Sequence, residues 1–455
     1  MMSGKGKRRL EGWLFALRRY LAFFLLMAFV ISCCMLLFLN ELSAATGIAL
    51  TKDKIESAAK LTFVNILFLS RLCTVIDGLR RKWLVERPVR TIVRSAEQIM
   101  KGDFSVRIPP LPGIENNSGF DVIADYFNRM AQGSAPTFFP RGQVYYTCGS
   151  KWEGNLVEDS RQTAAYAALG TGLIISPESP VLYEGINEKG LMGGQLYYRE
   201  FAHYEDAPQP GRLAVQPPFV VYHLLAQCAS VEEVVQQLQE KISLLALPML
   251  GTVPSLHWTF CDRTGESIVI EPDGDGLHIY RRTIGVMTNS PSYSWHRLNL
   301  LNYAGLRDLD YDAVQLCGDS IPQCFSGSGM QGLPGDFSSP SRFVRLAMLK
   351  KCAVPGQNET DGVAKLFHLM QSAAFPLGAV RVSEPGHVTE RDAGVVPFDY
   401  TLYTVVLCAQ SLRCYWTSYE NQRVQYLELE RLLERSEPVQ FDFHREPDFL
   451  CRNEG

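Results

Sequence analysis

The feature that most restricts the fold of this chain is a segment of nineteen residues, from Leu21 to Leu39, that carries no charge. Its only hydroxyl residue is Ser32, and the others are apolar or cysteine. A helix rises about 1.5 Å per residue, so the segment spans roughly 29 Å, the thickness of the hydrocarbon core of a bilayer. The sequence therefore predicts a transmembrane helix over 21–39. A cleaved signal peptide ending at Leu42-Ser43-Ala44 is the alternative, although the segment is longer than most signal-peptide cores.

A second apolar segment, from Leu61 to Ile76, contains Asn65 and Arg71. We expect it to form the second helix of a transmembrane hairpin, over 61–79, and a buried or interfacial helix is the alternative. Basic residues flank the pair on both outer sides, and positively charged flanks stay in the cytoplasm. Residues 1–83 therefore predict a multi-pass protein of a bacterial-type cell membrane, in contact with the lipid bilayer, with its soluble domain in the cytoplasm. The flanking residues are Lys5, Lys7, Arg8, Arg9, Arg18, Arg19, Arg80, Arg81 and Lys82.

Residues 84–132 have the pattern of two short amphipathic helices joined by a connector. Apolar residues recur at steps of three and four before and after the glycine-aspartate pair Gly102-Asp103. This segment looks like a HAMP linker of bacterial receptors, which implies a parallel dimer and a role in signal transduction; a passive spacer is the alternative. A sensor kinase is excluded, since no histidine occurs before His203. The HAMP-like positions are Pro88, Gly102-Asp103-Phe104, Arg107, Asp121 and Phe127-Asn128-Arg129-Met130.

Composition excludes several functions. The formal net charge of -4 provides no basic surface for a nucleic-acid partner. The 12 cysteines have irregular spacings and the 8 histidines are scattered, so we predict no metal site and no cofactor.

Residues 133–455 read as one domain of short strands with fewer helices. Blocks of strands separated by blocks of helices predict an α+β fold. Ser230 and Asp361 are expected to cap two of the helices. The predicted strands are 143–147, 164–175, 191–198, 256–260, 267–270, 277–280, 400–407 and 413–419, and the predicted helices are 231–242, 342–351 and 362–372.

Three clusters in this domain carry residues suited to chemistry. Asn289 lies at the predicted end of a strand, before Ser290-Pro291, where its amide can stabilise an oxyanion or simply form a turn. Arg342 lies at a helix start, where it can hold a carboxylate or remain solvated. The glycine-rich stretch 187–198 ends at Tyr197-Tyr198 and permits close approach of a ligand, or is a bulged core strand.

These clusters, in this order, resemble the choloylglycine hydrolase and penicillin V acylase family of linear amide C–N hydrolases. The resemblance runs from about Ala164 to the C-terminus. It implies a four-layer αββα fold of the N-terminal-nucleophile hydrolases, a homo-oligomer, and cleavage of an acylated amino compound such as penicillin V or a conjugated bile acid. The matching sequence motifs are Leu256-His257-Trp258, Thr288-Asn289-Ser290-Pro291, Leu333-Pro334-Gly335-Asp336 and Tyr400-Thr401-Leu402-Tyr403-Thr404.

The resemblance also implies roles for individual residues. In this family an N-terminal cysteine attacks the amide carbonyl, its own α-amine takes the thiol proton, and an acyl-enzyme is then hydrolysed. Asn289 matches the oxyanion asparagine, the backbone N–H of Tyr197 matches the second donor, and Arg342 matches the active-site arginine.

The position of the nucleophile has two alternatives. If Gly142-Gln143-Val144-Tyr145-Tyr146 is the family's early strand, the nucleophile falls at 132–134, where no cysteine occurs. The second alternative is Cys148, with Asp159 and Arg161 as its charged partners, and it requires cleavage after Thr147. A buried structural thiol is the competing interpretation of Cys148.

The sequence therefore predicts a membrane-anchored amidohydrolase with Cys148, Tyr197, Asn289 and Arg342 as its catalytic residues. A non-catalytic membrane protein for signalling or binding, linked through the HAMP-like segment, is the alternative function. The family's mechanism needs a cysteine at a free N-terminus, so an uncut anchor in front of the domain would block it.

Overall fold

The computed structural model describes residues 4–47, 51–81, 90, 134–150, 154–176, 178–249, 252–381 and 398–453. These residues belong to two compact units, an N-terminal helical unit and a second unit that contains 134–453. The predicted HAMP-like linker at 84–132 lies, apart from residue 90, outside the described residues. Both predicted domain boundaries, at 83/84 and at 132/133, also lie outside the described residues.

The N-terminal unit consists of two helices, α1 (Gly4–Thr46) and α2 (Lys52–Arg81). Within them, Tyr20–Glu41 and Ile55–Asp77 are long and apolar enough to cross a membrane. The helices form a hairpin in which the hydroxyl of Thr62 donates to Sδ of Met35 at 2.8 Å. Hydroxyls on α2 also bond to the carbonyl four residues earlier, as Ser70 does to Ile66 at 2.6 Å, and this satisfies polar groups in an apolar helix.

The second unit contains the strands and the remaining helices. The helices are α3 (Val220–Gln227), α4 (Val231–Gln236), α5 (Tyr293–Asn299), α6 (Ser339–Cys352) and α7 (Glu359–Gln371). The strands are β1 (Ala135–Phe139), β2 (Val144–Tyr146), β3 (Arg161–Thr163), β4 (Ala168–Ser176), β5 (Ser179–Asn187), β6 (Met192–Tyr197), β7 (Leu213–Val215), β8 (Ile242–Leu244), β9 (Leu256–Cys261), β10 (Ser267–Asp273), β11 (Gly276–Arg281), β12 (Val314–Leu316), β13 (Asp319–Ile321), β14 (Val380–Arg381), β15 (Phe398–Asp399), β16 (Tyr403–Cys408), β17 (Arg413–Ser418), β18 (Gln425–Glu428) and β19 (Val439–Gln440).

The main sheet has eight antiparallel strands in the order β11-β10-β9-β6-β5-β4-β1-β19. Glycines let its central strands approach closely. A Cβ on Gly170 of β4 would lie 2.0 Å from the carbonyl oxygen of Glu184 on β5, so no larger residue fits there. A smaller sheet has the order β16-β17-β18.

The two sheets and the helices form four layers. On one face of the main sheet, Leu182 and Trp258 pack with Val221 and Leu225 of α3. The other face packs on the smaller sheet through side chains that include Leu169, Ile186 and Trp416. Val363 and Phe367 of α7 cover the outer face of the smaller sheet at Val406 and Tyr415. The layer order is therefore helix, sheet, sheet, helix, as the resemblance predicted.

A β-bulge interrupts the pairing of β4 with β5. Leu182 pairs with Gly172 and Glu184 pairs with Thr171, so Tyr183 is an extra residue. In a regular strand residues 182 and 184 would share a face. Here Leu182 joins the core under α3, whereas Glu184 faces the smaller sheet and bonds to Tyr403 of β16.

Most predicted elements are confirmed, and the differences have local causes. Ser230 caps α4, since its hydroxyl accepts from the N–H of Glu233. The prediction that Asp361 caps the later helix was wrong: α7 begins one turn earlier, and Asn358 accepts from the N–H of Asp361. The predicted helix 231–242 continues after α4 only as a π-turn (Gln237–Lys241). Asn289 lies in a loop after β11 rather than at a strand end. The remaining short helical turns are Glu158–Ser160, Pro217–Phe219, Leu300–Tyr303, Ser328–Met330 and Leu429–Leu432.

Candidate active site

A cavity of about 390 Å³ opens where β6 ends. Its wall is mainly apolar, with Leu173, Val181, Leu196, Pro218, Met249, Pro254 and Leu256. The polar residues that line it are Tyr183, Glu184, Gln195, Tyr197, Asn289 and Tyr403. An apolar cavity with a few convergent polar groups is typical of a small-molecule site.

The side chain of Asn289 is held at both ends. Its Oδ1 accepts from Nη2 of Arg342 at 2.9 Å, and its Nδ2 donates to the carbonyl of Tyr197 at 2.9 Å. The arginine thereby fixes which end of the amide carries the N–H groups. Since Nδ2 has two hydrogens and Tyr197 takes one, the second is available to a ligand.

The backbone of Tyr197 presents a second donor. Tyr198 bonds to Ser255 across the ladder with β9, at 2.8 Å, and hydrogen-bonded pairs alternate with non-bonded pairs in an antiparallel ladder. The next pair, Tyr197 with Leu256, is therefore of the non-bonded kind, and the N–H and C=O of Tyr197 point away from β9. Pairing of β6 with β5 ends at Gly194, so this N–H is directed to the open side of the strand.

Arg342 lies in the first turn of α6, which Ser338 caps. Its Nε donates to the carbonyl of Phe337 at 3.1 Å, and its guanidinium lies 4.9 Å from the ring centre of Phe375. Burial lowers the pKa of Arg342. The ordinary pKa of arginine is so far above 7 that the guanidinium still stays charged at neutral pH. The residue is thus a fixed cation behind Asn289.

Hydrogen bonds to the Thr288-Asn289-Ser290-Pro291 motif hold the loop in place. The carbonyl of Asn289 accepts from the hydroxyl of Ser339 at 2.6 Å and from Nε2 of His296 at 3.0 Å. Burial lowers the pKa of His296, so the imidazole is neutral and carries its proton on Nε2. The Ser290–Pro291 peptide bond is cis, and Ser290 donates to the carbonyl of Arg199 at 2.8 Å.

Cys148 lies in a different environment. It is fully buried in a small apolar cluster with Ala214 and Leu245, and it is not among the residues that line the cavity. Burial raises the pKa of its thiol to about 11. The preceding carbonyl, of Thr147, accepts from the N–H of Gln216 at 2.8 Å.

Neither charged partner suggested for Cys148 affects the pKa of its thiol. Asp159 and Arg161 are both exposed, whereas the thiol is not. The structure therefore brings Tyr197, Asn289 and Arg342 together and leaves Cys148 apart from them.

The earlier alternative for the nucleophile, at 132–134, is described only at Ser134. This residue precedes β1 and lines a separate cavity with Gln440 and Phe443. β1 is separated from β6 by β4 and β5, and three strand spacings correspond to roughly 14 Å. Ser134 therefore lies at the same end of the strands as Tyr197, but three strands away from it.

The sequence analysis missed Glu184 and Tyr403 as residues of the cavity. The hydroxyl of Tyr403 donates to Oε2 of Glu184 at 3.2 Å. Tyr403 belongs to one of the motifs that carried the family resemblance. Glu184 lies in a strand that was not predicted, so no sequence signal pointed to it.

One group of described residues could offer metal ligands, at the turn between β10 and β11. Asp273, Asp275 and His278 place their ligand atoms within 4.8 Å of one another. His278 is paired with Asp275 at 2.8 Å, and Tyr198 donates to Asp273 at 2.7 Å. The three side chains therefore already have partners: His278 and Asp275 form a surface ion pair, and Asp273 accepts a hydrogen bond from Tyr198.

Comparison with known proteins identifies the family. The model of the linear amide C-N hydrolases, choloylglycine hydrolase family, matches residues 140–441. The chain belongs to this family. A bile salt hydrolase/transferase of Clostridium perfringens is 31% identical over 271 residues, which cover 59% of this chain and 78% of the relative. The predicted resemblance and the predicted amidohydrolase class are thus confirmed.

Solved structures of the family have the same fold. A mutant conjugated bile acid hydrolase from Clostridium perfringens superimposes with a TM-score of 0.62 at 28% identity, over 70% of this chain and 92% of that chain. Penicillin V acylase from Agrobacterium tumefaciens gives a TM-score of 0.50 at 19% identity, over 69% of this chain and 86% of that chain, which supports the fold alone. The predicted α+β fold of the N-terminal-nucleophile hydrolases is confirmed.

Proposed function

We propose that this chain binds and hydrolyses a linear amide, a conjugated bile acid or penicillin V, in the cavity at Asn289. The observation that supports the proposal is the presence of two neighbouring N–H donors beside an apolar cavity. One is the second hydrogen on Nδ2 of Asn289, and the other is the backbone N–H of Tyr197. Relatives named as bile salt hydrolase/transferase and as penicillin V acylase supply the two substrate classes.

The two donors suit the chemistry of amide cleavage. Attack on the carbonyl carbon moves negative charge to the carbonyl oxygen, and a donor already aimed at that oxygen stabilises the transition state by roughly 3 kcal/mol. Arg342 contributes by fixing the orientation of Asn289, since its guanidinium bonds Oδ1. We assign Asn289 and Tyr197 to the oxyanion site and Arg342 to the support of Asn289.

The nucleophile in this proposal is Cys148, released as a new N-terminus by cleavage after Thr147. After cleavage, the segment that begins at Cys148 has to move toward the cavity, because in the intact chain Cys148 is buried in the cluster with Ala214 and Leu245. The α-amine would then take the thiol proton, the thiolate would attack the amide carbon, and the amine product would leave before water hydrolyses the thioester.

A second candidate function is binding of the amide without cleavage. It is favoured by the make-up of the cavity: among the described residues that line it, none is a cysteine or a serine. In this case the intact chain would present the ligand site on a membrane-anchored protein.

One experiment separates the two functions. Full-length protein in detergent is given glycocholate, taurocholate or penicillin V, and the released amine is measured together with intact mass and the N-terminal sequence. Hydrolysis is expected from chains that begin at Cys148, and it should be lost in Cys148→Ala and in Asn289→Ala but kept in the matched control Asn302→Ala. Asn302 is an exposed residue whose side chain donates to nearby Asn299. An uncut chain that binds a probe without turnover would refute hydrolysis and support the binding function.

We further propose that α1 and α2 anchor the protein in a bacterial cell membrane as a multi-pass hairpin, with the second unit in the cytoplasm. Their apolar length supports this, together with the basic residues on both outer sides. Alkaline extraction of membranes should leave the full chain in the pellet and release a variant that lacks residues 1–83. Recovery of the full chain in the soluble fraction would refute the anchor.

We also propose a homo-oligomer. The hairpin of β12 and β13 exposes Val314, Leu316 and Ile321, each about half accessible, and Leu309 and Phe325 nearby are more exposed. Exposed apolar groups at this density are typical of a protein interface. Leu316→Asp should lower the molar mass measured by light scattering in detergent, and an unchanged mass would exclude this hairpin as the contact.

A further inference from the structure

Glu184 is a carboxylic acid in the cavity that the proposed mechanism does not use. Its Oε2 accepts from the hydroxyl of Tyr403, whereas its Oε1 makes no bond within hydrogen-bond distance among the described residues; the group nearest in the ladder is the hydroxyl of Thr171, which is directly opposite on β4 and also makes no bond. A buried carboxyl oxygen without a bonded donor is costly in an apolar setting, and native proteins seldom keep one without a function.

The β-bulge places this carboxyl in the cavity. Because Tyr183 is an extra residue, both Tyr183 and Glu184 line the same cavity, although neighbouring residues of a regular strand point to opposite faces. The bond from Tyr403 comes from the smaller sheet, so the carboxyl is held from both layers. Its position is fixed before any ligand arrives.

The groups that contact Glu184 are neutral; Lys350 lines a second cavity with it but donates to the carbonyls of Ile284 and Gly285. Thr171 faces it from β4, Tyr403 from β16 and Cys414 from β17, and Gly194 of β6 has no side chain to offer. Burial raises the pKa of Glu184 to about 7, and the hydroxyls of Thr171 and Tyr403 offset only part of that effect. The carboxyl therefore exchanges its proton near neutral pH.

We propose that Glu184 is a substrate-binding residue, whose Oε1 accepts a hydrogen bond from an O–H or N–H group of the bound amide. This inference rests on the proposed function of the cavity. Ring hydroxyls of a bile acid and the amide N–H itself are the two sources of such a donor. A ligand without either group would leave the carboxyl unpaired and bind weakly.

The contact has a consequence for protons. A donor from the ligand favours the ionised carboxylate, so binding near pH 7 should release a proton from Glu184. Affinity should rise as the pH increases to about 7, the pKa of the free protein, and level off above it. A residue that only supported the fold would not link proton release to ligand binding.

Isothermal titration calorimetry of the full chain in detergent tests the proposal, with glycocholate and penicillin V as probes. Titrations at pH 7 in two buffers of different ionisation enthalpy count the released protons. Glu184→Gln should abolish the release, and Glu184→Leu should raise the Kd by about tenfold or more, as expected for a lost bond to a charged group. Glu430→Gln, an exposed carboxylate, is the matched control and should behave as the wild type.

The two probes identify the donor. Both contain an amide N–H, and only glycocholate has ring hydroxyls. Weaker binding of both in Glu184→Leu assigns the amide N–H, and weaker binding of glycocholate alone assigns a hydroxyl. Affinity and proton release equal to the wild type in both Glu184 variants would overturn the inference and leave the proposed function intact. A wild-type chain that binds neither probe would refute the proposed function, and the inference with it.

Discussion

Substitution of Asn289 tests the geometry of the site independently of turnover. Asn289→Ala removes two hydrogen bonds, from Nδ2 to Tyr197 and from Arg342 to Oδ1, each 2.9 Å long. A neutral bond contributes about 1 kcal/mol and one from a charged group about 1.5–3 kcal/mol. Asn289 is only half-buried, so water replaces part of this, and we expect a loss of about 2–3 kcal/mol in the free energy of unfolding.

Asn289→Asp separates the two bonds. The carboxylate keeps the bond from Arg342 and gains an ion pair, but it has no hydrogen to give to the carbonyl of Tyr197. We therefore expect a loss of only about 1 kcal/mol. Both variants lack the N–H donor for an oxyanion, so both should lower amide hydrolysis by about 10²–10³-fold.

The assay is urea unfolding of the detergent-solubilised chain, followed by the fluorescence of buried tryptophans such as Trp258 and Trp416, with linear extrapolation. Amine release from glycocholate is measured on the same preparations. The reasoning is refuted if Asn289→Ala costs less than about 0.5 kcal/mol, or if Asn289→Asp costs more than Asn289→Ala. Activity of Asn289→Asp within threefold of the wild type would remove Nδ2 from the oxyanion site.

Three further outcomes are expected. Burial lowers the pKa of His223 from 6.5 to about 4, so stability should be complete above about pH 6.5 and fall by as much as roughly 3 kcal/mol toward pH 4, and His223→Gln should flatten this part of the pH profile of urea unfolding. Gly170→Ala would place a methyl group 2.0 Å from the carbonyl oxygen of Glu184 and should cost at least about 2 kcal/mol, whereas Gly335→Ala, with open space around it, should stay within about 0.5 kcal/mol; equal values by the same unfolding assay would contradict the packing of β4 on β5. Because burial raises the pKa of the Cys148 thiol to about 11, a thiol reagent at pH 8 should label exposed cysteines and spare Cys148 until the chain unfolds, and modification of Cys148 in the folded chain, detected by peptide mass spectrometry, would contradict its placement.

The strands that sequence reasoning located are those with a clear alternating or apolar pattern, such as β9 and β17. It missed β5, in which a bulge disturbs the alternation around Tyr183 and Glu184. It also missed α3, because residues 220–226 are all buried and an apolar run on every face has no helical period. In both elements the hydrophobic periodicity is lost because tertiary packing, rather than the local pattern, decides the structure.

The site was predictable where its residues belong to short sequence motifs. Asn289 and Arg342 were identified from the motifs around them, and the structure brings them to 2.9 Å. Glu184 and Tyr403 are 219 residues apart, and their contact depends on the packing of two sheets, which no local pattern encodes. The environment of Cys148 likewise follows from three-dimensional packing, since burial decides the state of the thiol.

The bulge at Tyr183 also bears on how such a site can vary between relatives. Loss of one residue inside a sheet normally turns every later side chain to the other face. At Tyr183 the extra residue is already outside the pairing of Leu182 with Gly172 and of Glu184 with Thr171, so its deletion leaves both pairs in register. We expect that a chain shorter by this one residue would keep its carboxyl in place and have a larger cavity. Strand length at this position is thus a means of changing ligand size without changing the polar group that meets the ligand.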